Sequence, residues 1–280
     1  MSKHQPDEHH HAERRDGHGD DDGHAHNHGA RVSTPEERAL LAPFTDSVHD
    51  FIHSALEGVT GPIAEIGAGD GVVADRLRND GFDVVAIDGN PGTAQAATEQ
   101  GREVLHADWR TWDGGGRAPF AALLFTRSLH HIEPIEQATE QMVRLAPGGL
   151  VIADEFGYEL VDPSGAQLLI DGQAIADAAG VGTKDGMAVD DPAEAWTRRM
   201  SVDHEVTPSD RLLSAIEAVA DIEQQISGRF IARMITHGLD PAHPQAAAVR
   251  DLVLAIEDSR IAAGTTAAAG LRIVARLRAN

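Results

Sequence analysis

Three glycines at every second position, Gly67, Gly69 and Gly71, lie in the stretch IAEIGAGDGVVADRL between an apolar run and a helical pattern. Glycine loses more backbone entropy on folding than any other residue, so such a run implies that something lies against the bare backbone. A loop of this kind at a helix start offers free N–H groups to an anion or a polar ligand. Glu65 stands two residues before the first glycine. Its carboxylate would repel a pyrophosphate but suits a ligand with a positive charge. The dinucleotide pattern G-x-G-x-x-G also fails here, because its last glycine would fall at Val72. A second set of donors sits near the chain start, where GHAHNHG carries His24, His26 and His28. Imidazoles at this density can hold zinc or nickel; the alternative is a solvated tail that takes up metal only incidentally.

The loop needs strands and helices to hold it, and composition limits what these can be. The formal charge of −22 argues against a protein that grips nucleic acid through its phosphates. Cysteine is absent, which excludes disulfides, thiolate metal sites and a cysteine nucleophile in this chain. No apolar run approaches the ~20 residues of a membrane span. The first residues lack the apolar core of a signal peptide, so cytoplasmic residence is the default expectation.

Residues 1–33 have almost nothing to bury and are expected to be a disordered tail. Ser33-Thr34-Pro35-Glu36-Glu37 is a helix-start signature, continued at helical period by Leu40, Leu41, Phe44, Val48, Phe51, Ile52 and Leu56. Residues 34–158 then alternate between short apolar strands, at 63–66, 84–87, 103–106, 120–125 and 150–153, and helices at 72–79, 91–100 and 134–145. Short strands that are apolar on both faces imply a doubly wound α/β core around a mostly parallel sheet. Residues 159–263 read as a helical cap or insertion, with Leu212, Leu213, Ile216, Val219, Ile222 and Ile226 at helical spacing. Within residues 264–280, LRIVARLR alternates like a strand and is expected to return to the sheet as its last member.

Glu65-Ile66-Gly67-Ala68-Gly69-Asp70-Gly71 resembles the first motif of the class I S-adenosylmethionine-dependent methyltransferases. Asp88, at the end of the second strand and followed by Gly89, matches the family's acid that holds both ribose hydroxyls. His106-Ala107-Asp108-Trp109 is similar to the segment whose Asp contacts the adenine amino group. LFTRSLHHI, Leu124 to Ile132, resembles the fourth-strand segment whose exit, with Thr126 and Arg127, faces the methyl group and substrate. LAPGGLVIADE, Leu145 to Glu155, resembles the family's turn and fifth strand. The resemblance implies a seven-stranded Rossmann-like sheet and S-adenosylmethionine as cofactor. It implies Glu65, Gly67, Ala68, Gly69, Gly71, Asp88, Gly89, Asp108, Trp109, Thr126 and Arg127 as the residues around that cofactor. Bland roles stand beside these: Asp88 and Asp108 as turn or loop caps, and Trp109 closing the loop edge instead of covering the adenine face.

Methyl transfer is an in-line displacement in which a protein aligns the nucleophile, excludes water and, where needed, removes a proton. His130, His131 and Glu155, at the carboxyl edge of the sheet, are the candidates for that proton. The alternative is that one histidine packs against the sheet and the other caps the next helix. Phe125-Thr126-Arg127-Ser128 lacks the Pro-Pro-aromatic signature used for exocyclic base nitrogens, and the absence of cysteine excludes covalent methylation at C5 of pyrimidines. His204 and Trp196 could line the substrate side by position alone. The expected acceptor is a small molecule methylated at O or N by a monomer or homodimer without nucleic acid or membrane partners. The alternatives are methylation of protein or tRNA, and a noncatalytic module that binds cofactor or metal.

Overall fold

A computed structural model of the chain describes residues 33–183, 191–201 and 206–279. The tail histidines His24, His26 and His28, and His204, lie outside these residues.

The first helix, α1 (Pro35–Ala55), starts where its capping chemistry dictates. The Thr34 hydroxyl accepts from the Glu37 N–H, and the Glu37 carboxylate accepts from the Thr34 N–H at 2.8 Å. This reciprocal pair satisfies two otherwise orphaned donors, and Pro35 brings its fixed φ to the first turn. Leu40, Phe44, Val48, Phe51 and Ile52 recur at three- and four-residue steps and are buried along one face.

Strand and helix then alternate: β1 (Ile63–Ile66), α2 (Val72–Asn79), β2 (Val84–Asp88), α3 (Pro91–Glu99), β3 (Leu105–His106), β4 (Ala122–Thr126), α4 (Ile135–Leu145) and β5 (Leu150–Phe156). After β5 come α5 (Pro163–Ala178), α6 (Pro192–Ser201), α7 (Ser209–Val219), β6 (Ala220–Gly228), α8 (Ile231–Thr236), α9 (Ala246–Ala262) and β7 (Gly270–Leu277). The sheet has seven strands in the order β3-β2-β1-β4-β5-β7-β6. The pairs from β3 to β5 are parallel, whereas β7 runs antiparallel to both β5 and β6. The mostly parallel doubly wound sheet expected from the alternation is thus present.

All four residues of β1 are buried, and each face of the sheet carries its own apolar cluster. One face packs Leu129, Met142 and Leu145 with Trp109 and Trp112; the other packs Phe51, Leu56, Leu77 and Ala97. A large apolar side chain contributes about 1.5–3 kcal/mol when fully buried, so both faces must be covered for strands this apolar to persist.

The helical reading of residues 159–263 is corrected over Ala220–Gly228, which is a strand of the sheet. Ile222 and Ile226 are four apart, a spacing that fits one helix face and equally one strand face. Pairing with β7, some fifty residues further along, selects the strand, with a register irregularity between Ile222 and Gln224. Ahead of it, α7 packs Leu212 and Ile216 into the same cluster as Met142 of α4. The other helices of the segment form a separate layer. In it α5, α6, α8 and α9 meet α1 around Phe44, Phe156, Trp196, Phe230 and Val253. No described helix is long and apolar enough to cross a membrane.

From β1 the chain winds one way to β2 and β3, then crosses back to β4 and β5. The crevice at the carboxyl ends of β1 and β4 is therefore a topological switch point, where open α/β sheets bind ligands.

Candidate functional site

The glycine loop leaves β1 at this switch point. Gly67, Gly69 and Gly71 all have positive φ, the left-handed region that side chains rarely adopt. Their surroundings differ. A Cβ added at Gly67 would lie 2.5 Å from the Cβ of Ser128, whose hydroxyl donates to the Ile66 carbonyl at 2.6 Å. A Cβ added at Gly69 would meet nothing within 4 Å. Gly67 is thus required by packing, while Gly69 leaves bare backbone open to a ligand. Gly67→Ala is expected to lower stability by about 1–3 kcal/mol through strain and overlap. Gly69→Ala should lose less stability and instead weaken ligand binding, as denaturant titration and calorimetry of the two variants would distinguish.

Glu65 sits at the end of β1 with no exposed surface. Its Oε1 accepts from the Thr126 hydroxyl at 2.9 Å, while Oε2 is buried and has no hydrogen-bond partner. Burial pushes the carboxyl up to about 7, and the Thr126 hydroxyl and, more weakly, the Ala74 N–H at the start of α2 oppose this without cancelling it. Glu65, Thr126, Arg127 and loop residues Gly67, Ala68 and Gly69 line a cavity of 420 Å³. Leu41, Ala42 and Thr45 of α1 close it on one side. An unpaired buried carboxylate oxygen in a cavity wall is a site for a cationic donor, because leaving it unmatched is costly.

Asp88 ties the loop to β2. Its Oδ2 accepts from the Gly69 N–H at 2.9 Å and its Oδ1 from the Asn90 N–H at 2.8 Å. Each oxygen keeps a second lone pair, so the carboxylate can still accept from two hydroxyls. Gly89 beside it is exposed. The other two adenine-side candidates are engaged elsewhere. Asp108 is gripped by Arg110 through Nε at 3.0 Å and Nη2 at 2.8 Å, and this partner holds its carboxyl below the usual range. Trp109 is buried in the sheet-face cluster, edge-on to Phe125 at 5.7 Å, with its indole N–H unpartnered.

The histidine pair follows β4 in a short 3₁₀ turn, Leu129–His131. Glu155 of β5 organises that turn: its Oε1 accepts from the N–H groups of Ser128 and Leu129 at 3.1 and 2.8 Å, and its Oε2 contacts His130 Nδ1 at 2.5 Å. His130 is buried beside Phe156, whereas His131 is exposed with its ring centre 4.1 Å from that of His130. Glu155 is therefore committed to holding the turn and the imidazole.

A second cavity, of 340 Å³, adjoins the first and shares Arg127 and Arg233 with it. Phe44, Val48, Phe230 and Leu271 supply apolar walls, and Asp154 and Glu155 line it too, while neither histidine lines either cavity. Arg127 has φ of 59°, rare for a side-chain-bearing residue, and is held by its N–H and Nη1, each 2.7 Å from an oxygen of Asp154. Arg233, from α8, has no counterpart among the motif residues. Its signal in the sequence is slight: one arginine inside the otherwise apolar Ile231-Ala232-Arg233-Met234-Ile235. Among the described residues, no group of three or more His, Asp or Glu is placed to hold a metal ion.

A family model described as a methyltransferase domain matches residues 64–153. A search of curated protein sequences finds no match. Solved structures do match. One assigned as a sarcosine dimethylglycine methyltransferase, from Galdieria sulphuraria, is 13% identical, with 89% of this chain and 92% of that one covered at a TM-score of 0.52. Geranyl diphosphate C-methyltransferase from Streptomyces coelicolor is 11% identical, covering 89% and 86% at a TM-score of 0.52. An S-adenosylmethionine-dependent methyltransferase from Methanosarcina mazei is 13% identical, covering 82% and 97% at 0.50. At such identities the structures speak for the fold alone. Residues 64–153 thus match a methyltransferase-domain model, and the chain shares the class I, Rossmann-like fold of these methyltransferases.

Proposed function

We propose that this protein is an S-adenosylmethionine-dependent methyltransferase that methylates an oxygen or nitrogen of a small molecule. The observation that carries the reading is Glu65, a buried carboxylate with one orphaned oxygen, in the wall of the cavity beside the open face of Gly69. That arrangement fits a cofactor with a cationic amino group and disfavours one with a pyrophosphate. Asp88, with a free lone pair on each oxygen, fits the cofactor's vicinal hydroxyls. When bound, the cofactor supplies a methyl group on a sulfonium, already activated for displacement.

The chain's own residues then bind, orient and exclude water. Glu65 holds the amino group, Asp88 the diol, and the bare loop backbone allows close approach. The second cavity shares Arg127 and Arg233 with the first, so an acceptor seated there lies next to the cofactor's site. His130, its Nδ1 engaged by Glu155, lines neither cavity, so its part is to brace the turn after β4 and not to take the acceptor's proton. Glu155 is the positioning residue for that turn, and exposed His131 likewise lies outside both cavities.

Calorimetric titration of the full chain with S-adenosylmethionine, and separately with NADH, tests the reading. Micromolar binding of the first and none of the second is expected. Binding of NADH alone would overturn it.

A further inference from the structure

We propose that the acceptor carries a carboxylate and that Arg233 is the residue that selects it. This rests on the methyltransferase reading above and names the class of molecule that the second cavity takes.

The charges around that cavity run against the character of the chain. The protein as a whole carries −22, yet four arginines, Arg127, Arg229, Arg233 and Arg272, line this space with three carboxylates. Each acid is already committed. Asp154 pairs with Arg127 at 2.7 Å and with Arg272 at 2.9 Å. Asp258 pairs with Arg229 at 2.6 Å. Glu155 holds the 3₁₀ turn and His130. The positive charge left over is Arg233, whose guanidinium makes no hydrogen bond or ion pair with any described residue. Its guanidinium stands over the Phe44 ring, 6.0 Å from the centroid.

This unmatched cation is held in place by design of the backbone around it. Glu257 of α9, fully buried, accepts from the N–H groups of Phe230, Ile231 and Ala232 at 2.7, 2.8 and 2.7 Å. Those three bonds fix the first turn of α8, and Phe230 stacks on Phe156 with centroids 4.1 Å apart. Arg233 follows directly on this clamp. Burial lowers its guanidinium to about 9, the nearby charge of Arg127 acts in the same direction, and Asp154 opposes them. An arginine keeps its proton in proteins, so the lowering expresses an unmet demand for a counter-ion. A desolvated, unpaired cation destabilises a fold, and a ligand anion removes that penalty.

The planar guanidinium fork matches a carboxylate in bidentate fashion. Phe44, Val48, Phe230 and Leu271 around it suit an apolar body, and 340 Å³ admits a small molecule. Arg233 also lines the first cavity, so the rival occupant of its fork is the cofactor's own carboxylate.

The test compares acid and amide pairs by saturation-transfer NMR and calorimetry on the full chain, with and without S-adenosylhomocysteine. The probes are benzoate, phenylacetate and 3-phenylpropionate against their primary amides. At least one acid is expected to bind about tenfold or more tightly than its amide, as a charge-assisted pair should. Arg233→Met should abolish that preference and Arg233→Lys should keep part of it, while affinity for S-adenosylhomocysteine stays within about threefold of the parent. Removing an unpaired cation should leave the melting temperature of Arg233→Met unchanged or raised. Equal binding of acids and amides by the parent chain overturns the proposal whatever the variants do, as does an acid preference that survives in Arg233→Met. Loss of S-adenosylhomocysteine binding in Arg233→Met, with acid preference intact, overturns it in favour of the cofactor's carboxylate. Failure of the methyltransferase reading is separately visible, because the parent chain would then bind neither S-adenosylmethionine nor S-adenosylhomocysteine.

Discussion

Replacing Asp88 by alanine is expected to weaken binding of S-adenosylmethionine about 100- to 1,000-fold while the chain stays folded. Two hydrogen bonds from a diol to a carboxylate contribute about 1.5–3 kcal/mol each, and a loss of about 3–4 kcal/mol corresponds to that range. The carboxylate also accepts from the Gly69 and Asn90 N–H groups, so the variant should lose some stability as well, about 1–2 kcal/mol at this half-buried site. Calorimetry and thermal unfolding on the same samples separate the two effects. Asp88→Asn, which retains one acceptor, should fall between parent and alanine in affinity. A lowered melting temperature with unchanged affinity would mean that Asp88 only braces the loop.

Glu65→Gln should have the second largest effect, and it should depend on pH. The Glu65 carboxyl titrates at about 7 in the folded chain because burial disfavours its charge, against 4.5 when exposed. Between these values the folded chain holds a proton that the unfolded chain releases. Stability must therefore fall as pH rises through that window, by about 3 kcal/mol in total once the pH is well above 7. Glu65→Gln removes this dependence, and the variant should unfold with a flatter pH profile than the parent. Ligand binding has the opposite trend. A cationic amino group pairs with the ionised carboxylate, so affinity should rise with pH up to about 7 and fall about tenfold per pH unit below it. Below pH 7, titrations in buffers of different ionisation enthalpy should reveal about one proton released per cofactor bound. Glu65→Gln should bind weakly and without that proton. An affinity for S-adenosylmethionine that is constant from about pH 5 to 8 would remove Glu65 from the amino-group site.

Much of this fold was legible in the order of residues because its signals are local. Thr34, Pro35 and Glu37 start α1 through contacts within one turn. The apolar runs of β1, β2, β4 and β5, broken by glycine and proline, admit only a covered parallel sheet. Within the candidate site, the glycine loop and the proximity of Glu65 to it are likewise properties of a few consecutive residues. Contacts between distant segments were not legible. Ile222 and Ile226 satisfy helix and strand spacing alike, and only β7 decides between them. The pairing of Asp108 with Arg110 and the burial of Trp109 depend on which way the loop after β3 folds. The clearest case is Arg233. Its lack of a counter-ion among the described residues exists only because α8, fixed by Glu257 of α9, is brought against Arg127 and Phe44 from elements more than a hundred residues earlier. Spacing along a chain encodes periodicity and turn chemistry; which charge remains unmatched is settled only when the chain has closed around it.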